Sequence, residues 1–315
     1  MNTAITRMLG IEKPVFQGGM AWIADATLAA AVSEAGGLGL ISSIMGGPEA
    51  VREQIRKART LTDKPFGVNI MLAAPDAAEV ARVVIEEGVG IVTTGAGSPA
   101  PYMKAWKEAG IKVIPVIASV AYALKMEELG ADAVVAEGAE SGGHVGDIHT
   151  MALLPQIIDA VRIPVIAAGG IFDGRGAAAA FLMGAAGVQV GTRFLVAREC
   201  RVHPVYKERV IKAGDIGTMV TGKSLGDAVR ALKTPFARSF AKMEADPSVT
   251  PEQIRAFGTG SLRKAVFDGD LTGGSFLAGE VAGLVKQEQR AEEIVNDIIG
   301  GAEQLLAAAP KLLSL

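Results

Sequence analysis

The chain has a single cysteine in 315 residues, Cys200, only three histidines and few aromatic side chains. One cysteine excludes an internal disulfide and suits a reducing compartment. Its place between Arg198 and Arg201, beyond the last strand-like run, does not mark it as a nucleophile. No His/Cys/Asp cluster has the spacing of a metal site, so no metal ligands are assigned. Long apolar runs are missing as well. The longest uncharged stretch, residues 176–192, falls short of the ~18 residues of a spanning helix, and Gly184 and Gly187 interrupt it. Residues 1–7 carry no basic region followed by an apolar core, which argues against a signal peptide. The expectation is a soluble, cytoplasmic protein with no membrane or nucleic-acid partner. No GxGxxG turn follows the first strand-like run, which counts against a dinucleotide-binding doubly wound sheet.

Half of the residues are apolar and the net charge is −3, so a sizeable core can form. Eight apolar runs read as strands: Val15–Gln17, Leu38–Ile41, Phe66–Ile70, Ile91–Thr94, Lys112–Val116, Ala133–Glu137, Val165–Ala168 and Val188–Val190. Helical stretches lie between them. Asp25, Ser119 and Asp173 stand at N-cap positions and Pro48 at a first turn. Gly36, Gly88, Gly110, Gly130 and Gly184 stand where helices should stop. Eight strand–helix units predict an α/β fold, a (β/α)8 TIM barrel.

The alternation ends after Phe194. The expected organisation is a barrel over residues 1–196, a lid or substrate segment inserted at 197–274, and C-terminal helices at 275–315 packed on the barrel. Within the lid the pattern predicts helices at Pro204–Ala213 and Pro251–Phe257, and beyond it helices at about Ala278–Lys286 and Ala291–Ala308. Ten bases and four acids between Arg193 and Arg238 leave that span at +6, against −3 for the whole chain.

Active sites of such barrels lie at the C-terminal ends of the strands. The first strand ends in Gln17-Gly-Gly19-Met20-Ala21-Trp22, whose small residues leave room for a flat ring beside Met20. The third ends at Asn69, a carboxamide able to pair with a pyrimidine edge. The sixth runs into Glu137 and then Gly142-Gly143-His144. The seventh and eighth end in Gly169-Gly170 and Gly191-Thr192. Glycines there let the backbone approach an anion, and N–H groups at the following helix start point toward it, so these two loops are the expected phosphate site. His144 is the candidate catalytic residue, and Glu137 is its expected partner or a ligand for ribityl hydroxyls. His149 and His203 read as structural.

Assembled, these pieces resemble the flavin-dependent enoyl-acyl-carrier-protein reductases, which share an FMN-barrel superfamily with the nitronate monooxygenases. The resemblance runs nearly end to end. It is carried by Phe16–Trp22, Ala35–Gly39, Lys64–Met71, Val92–Gly97, Gly142–His144, Ile166–Ile171 and the Val-Gln-Val-Gly-Thr-Arg-Phe stretch at Val188–Phe194. It implies FMN at the barrel mouth, with Gly169, Gly170, Gly191 and Thr192 on its phosphate and Gly19, Met20, Ala21, Asn69, Glu137, Gly142 and Gly143 around the rest. It implies NADH or NADPH as hydride donor, a monovalent cation, His144 as the catalytic residue, and an enoyl thioester delivered by an acidic acyl carrier protein that the basic lid would steer. A nitronate monooxygenase or an NAD(P)H:quinone reductase of the same superfamily is the alternative. A homodimer is the default assembly.

Overall fold

The computed structural model describes residues 1–310. In chain order the strands are β1 (Val15–Gln17), β2 (Gly39–Ser42), β3 (Phe66–Met71), β4 (Ile91–Gly95), β5 (Lys112–Ile117), β6 (Val134–Glu137), the two-residue β7 (Gly143–His144), β8 (Val165–Ala168), β9 (Gly187–Val190), β10 (Thr218–Thr221) and β11 (Val229–Leu232). The helices are α1 (Ala4–Leu9), α2 (Ala26–Glu34), α3 (Pro48–Leu61), α4 (Ala77–Glu86), α5 (Ala100–Glu108), α6 (Val120–Glu128), α7 (Thr150–Ala160), α8 (Gly174–Leu182), α9 (Pro204–Ile211), α10 (Pro235–Ala245), α11 (Pro251–Gly258), α12 (Ser261–Asp268) and α13 (Ala291–Ala308).

Eight strands form one parallel sheet in the order β1-β9-β8-β6-β5-β4-β3-β2. A bridge between Phe16 and Leu38 closes it into a barrel. The closure is helped by a side chain: Gln17, fully buried, accepts at Oε1 from the Leu40 N–H at 3.1 Å. The (β/α)8 architecture is therefore the one the strand–helix alternation predicts.

Side chains on a strand alternate between the two faces of the sheet. Val15, Ile41, Val68, Val92, Val134 and Val188 pack outward against the helices. Phe16, Leu40, Ile91, Ile114, Val135 and Ile166 fill the inside, and Ile5 and Leu9 of α1 with Ile11 plug the end away from the strand C-termini. Local chemistry sets the helix ends. Asp25 accepts from the N–H groups of Thr27 and Leu28 at 3.0 Å, and Ser119 accepts from that of Tyr122 at 3.4 Å. The five glycines at the helix exits all have positive φ, the conformation that ends a helix without a Cβ penalty.

The eighth strand is not followed directly by its helix. A short 3-10 turn, Thr192–Val196, leads into the lid, and α13 then returns to pack on α8 and α2, where the eighth barrel helix belongs. The lid is more ordered than its sequence suggests. It contains the hairpin β10–β11 and the helices α10 and α12 besides the two predicted ones, which run Pro204–Ile211 and Pro251–Gly258. The helix expected at Ala278–Lys286 is absent. Only a 3-10 turn at Glu280–Leu284 forms, because Gly279 lies extended against the 140–142 loop and donates its N–H to Thr192 Oγ1 at 2.8 Å. Of the C-terminal span expected at 275–315, residues 311–315 lie outside the described residues. Among the described residues no helix is long and apolar enough to cross a membrane.

The tightest helix–sheet contact is at Gly39, where an added Cβ would drive into the Ala29 carbonyl of α2. Overpacking of a core costs about 1–3 kcal/mol and occasionally more. Gly39→Ala should therefore lower the unfolding free energy by about 3 kcal/mol in urea titration, and a change within about 0.5 kcal/mol would show that α2 can shift freely.

Candidate active site

The barrel interior changes character at its C-terminal rim. Asn69 lies between outward Val68 and Ile70, Thr93 follows outward Val92, Glu137 follows outward Ala136, and Gln189 lies between outward Val188 and Val190. By alternation these four polar side chains point inward, above the apolar filling. Asn69 donates from Nδ2 to Thr93 Oγ1 at 2.8 Å. Gln189 is 8% exposed, and its Oε1 has no hydrogen-bond partner. A buried carbonyl left unsatisfied costs about 1–3 kcal/mol, so this atom calls for a donor from outside the chain.

Most of the expected site residues meet at this rim. Gly19 lies against the Asn69 side chain so closely that a Cβ there would collide with it, and Met20 Sδ stands 4.0 Å from where a Cβ on Gly191 would sit. Ala21 follows, partly exposed, ahead of Trp22, which takes a left-handed backbone at φ 64°. Glu137 pairs in register with Ala168, next to Gly169 and Gly170. Thr192 Oγ1 accepts from Gly279, which leaves its own proton free to donate. Gly142 is closed in by the backbone of Ala278 and Gly279.

The anion site differs from the expectation in one respect. The Arg175 N–H at the start of α8 is not free. Asp173 caps that helix, accepting from Arg175 N–H at 2.9 Å while its carboxylate pairs with the Arg175 guanidinium at 2.7 Å. A phosphate there would find its donors in the loops themselves, at Gly169 (φ 88°), Gly170 (φ 71°), Gly191 and the Thr192 hydroxyl. Thr150 braces this region, its Oγ1 lying 3.2 and 3.0 Å from the carbonyl oxygens of Ala168 and Gly169 and 2.9 Å from Glu140.

Glu137 is not the partner of His144. The imidazole Nε2 stands 3.0 Å from Oδ1 of Asp227, in the lid. The reason is topological. Residues 143–144 form strand β7, which pairs antiparallel with β11, placing His144 opposite Val229. That carries the imidazole onto the lid sheet, while Glu137 stays inside the barrel rim. Protein crowds the Glu137 carboxyl and pushes its pKa up to about 7, above the ordinary 4.5. Ser141 lies near enough to pull slightly the other way, though its buried Oγ makes no hydrogen bond of normal geometry. His149 is 3.8 Å from Glu140, and His203 accepts from Val205 N–H at the start of α9. Burial raises the Cys200 thiol to about 11, which keeps it protonated and inert near neutral pH.

The basic span is also sorted by the fold. Arg193, 3% exposed, stacks on Phe172, donates to its carbonyl and pairs with Asp297 at 2.7 Å. Lys207 is buried on the Ala197 carbonyl, and Arg230 ties Ala139 to Glu280. These three are structural. Thr93 and Asp227 are the site residues that strand-end inspection passes over, as is Gln189, even though it stands within the Val188–Phe194 motif.

The rim fits a flavin nucleotide. The orphan Gln189 carbonyl awaits a donor, as a ring N–H supplies; Gly19 and Gly191 keep Cβ atoms out of the space beside Met20; and the two glycine loops offer backbone donors for a phosphate. Among the described residues no group of three His, Cys, Asp or Glu side chains could hold a metal ion.

Known proteins match this architecture along its whole length. The chain is 49% identical to FabK from Thermotoga maritima, with a TM-score of 0.96 and 99% of each chain covered. It is 37% identical to a Mycobacterium tuberculosis protein named (3aS,4S,5R,7aS)-5-hydroxy-7a-methyl-1-oxo-octahydro-1H-indene-4-carboxyl-CoA dehydrogenase, over 99% of each. It is 31% identical to a probable nitronate monooxygenase of Staphylococcus aureus, over 96% of this chain and 98% of that one. The family model for nitronate monooxygenase matches residues 2–301. With the barrel and its glycine loops in place, the chain belongs to the nitronate monooxygenase family of FMN-dependent barrel oxidoreductases.

Proposed function

We propose that the protein reduces the trans-2-enoyl thioester of acyl carrier protein to the saturated acyl thioester, with NADH or NADPH as donor. The observation that carries this reading is the 49% identity to FabK, a type II enoyl-acyl-carrier-protein reductase, over 99% of both chains. The Mycobacterium relative is named for a CoA thioester, which also favours thioester chemistry.

FMN, when bound, would supply hydride transfer between the donor and the β-carbon of the enoyl group. Gly169, Gly170, Gly191 and Thr192 would hold its phosphate, with Gly19, Met20, Ala21, Asn69, Glu137, Gly142 and Gly143 around the rest of it. The chain's own contribution is position and proton supply. His144, standing free of the barrel wall, donates to the thioester oxygen or delivers the α-proton. Asp227 Oδ1, 3.0 Å from His144 Nε2, stands where it can hold the ring's orientation. Glu137, held neutral through much of the range below about 7, can both donate to and accept from a ligand hydroxyl. The exposed bases of the lid would steer an acidic carrier protein.

Three measurements test this. Without oxygen, NADH or NADPH should bleach the flavin absorbance, and an enoyl thioester should restore it. No bleaching with either donor would favour the nitronate monooxygenase, and bleaching without recovery would move the search to quinone acceptors. His144→Ala should slow enoyl reduction about 100-fold or more while FMN stays bound; unchanged turnover would remove His144 from the mechanism. The third concerns Glu137 in the FMN-free protein. Its folded pKa, about 7, lies above the unfolded 4.5. The stability it contributes is thus complete below the unfolded value and lost as pH rises through the folded one. Relative to wild type, Glu137→Gln should therefore gain melting temperature between these limits and hold the gain at pH ~8. A difference that does not vary with pH would show that the carboxyl ionises in the folded protein as it does in the unfolded chain.

A further inference from the structure

The bases that structural pairing leaves over are not scattered. Arg209, Lys212, Lys233 and Arg238 line one concave pocket of about 510 Å³ on the lid, together with apolar Ile216, Met219 and Leu232. No acid lines it. Lys212 is neutralised by Glu208, but among the described residues Arg209, Lys233 and Arg238 form no ion pair. Gathering like charges around one cavity is unfavourable unless an anion joins them. The eleven-residue α10 begins at the pocket, with Thr234 as its N-cap, and adds the positive end of its dipole. Ile216 lies 76% exposed beside these charges, more than any other large apolar side chain among the described residues.

The pocket's place relative to the site matters. Leu232, in its wall, is three residues from Val229 on β11, and Val229 pairs with His144. At about 3.3 Å per residue the pocket begins roughly 10 Å from the catalytic strand. A molecule with its reactive atom at the barrel mouth and its anionic head on an extended arm would bridge the two. The volume lies within the ~300–1,000 Å³ of small-molecule sites, and a concave cavity suits a small anionic head better than a protein face.

We propose that this pocket binds a ribose-phosphorylated adenine nucleotide head, the part common to NADPH and coenzyme A. The phosphates, each monoester carrying about −1.5 to −2 at neutral pH, would meet Arg209, Lys233 and Arg238, with planar contacts from arginine to phosphate oxygens. The adenine would cover Ile216 and Met219. The choice between the two sources rests on the reductase reading, since one is its donor and the other a thioester carrier; the pocket itself does not.

The test is calorimetric titration of the FMN-loaded protein with adenosine 2′,5′-bisphosphate and adenosine 3′,5′-bisphosphate, which carry the head groups of NADPH and coenzyme A. At least one should bind, and the Lys233→Ala/Arg238→Ala double variant should weaken it tenfold or more. A Lys233→Arg variant should retain it, which separates lost charge from lost fold. Tighter 2′,5′ binding assigns the pocket to the donor, and with a short enoyl thioester free of carrier protein KM for NADPH should then rise in the alanine variant with kcat and NADH kinetics unchanged. Tighter 3′,5′ binding assigns it to the thioester, and KM for a CoA thioester should rise instead. Failure of both nucleotides to bind, or equal binding by the alanine variant, overturns the proposal. Binding without flavin bleaching by either NADH or NADPH would leave the pocket standing and remove the reductase reading; bleaching and recovery without nucleotide binding would do the reverse.

Discussion

Two residues of antiparallel pairing hold the candidate active site together. Gly143 and His144 pair with Arg230 and Val229, and Val145 N–H continues the contact to the Ala228 carbonyl at 3.0 Å. Without that short ladder the segment after β6 would be a loop with unpaired backbone groups, and the imidazole would have no fixed height above the rim. The same strand supplies Arg230, whose guanidinium reaches the Ala139 carbonyl and Glu280. Barrel loop, lid hairpin and C-terminal segment are therefore cross-linked at one point. The placement of His144 is thus governed by residues more than 80 positions away in sequence, Asp227 and Val229 among them.

That separation explains what the amino-acid pattern reveals and what it hides. The strands, the caps at Asp25 and Ser119 and the glycine exits depend on neighbours a few residues apart, so they are legible directly. The glycine loops at 169–170 and 191 are legible too, because a barrel brings every strand end to one rim. Asp227 is not, since nothing near it in sequence announces that a hairpin will carry it to His144. Gly279 misleads for a related reason: its neighbours favour a helix, but its N–H is claimed by Thr192, 87 residues earlier. The net charge of the lid misleads in bulk, because Arg193 and Lys207 are buried structural groups and only the surface remainder can meet a partner. Asp173 shows the opposite error. It caps α8 as its position predicts, and that same role takes the Arg175 N–H from the expected anion site.

The rim itself balances two demands. An apolar interior below gives the barrel rigidity, while Asn69, Thr93, Glu137 and Gln189 give its top layer donors and acceptors. Such a layer is costly to leave incomplete, as the unpaired Gln189 carbonyl shows. Ligand binding at this rim therefore contributes to the stability of the folded chain as well as to its activity.

The splice point of the lid has a consequence for how the chain is made. All eight barrel strands are complete by Val190, yet the helix that covers α8 and α2 begins only at Ala291. Its buried face, Ile294, Val295, Ile298 and Ile299, is the cover for that side of the barrel. During synthesis a fully stranded barrel must wait about 100 residues, at roughly 5–20 residues per second, with that flank bare. For those seconds the nascent chain offers chaperones an apolar strip that the finished protein never shows.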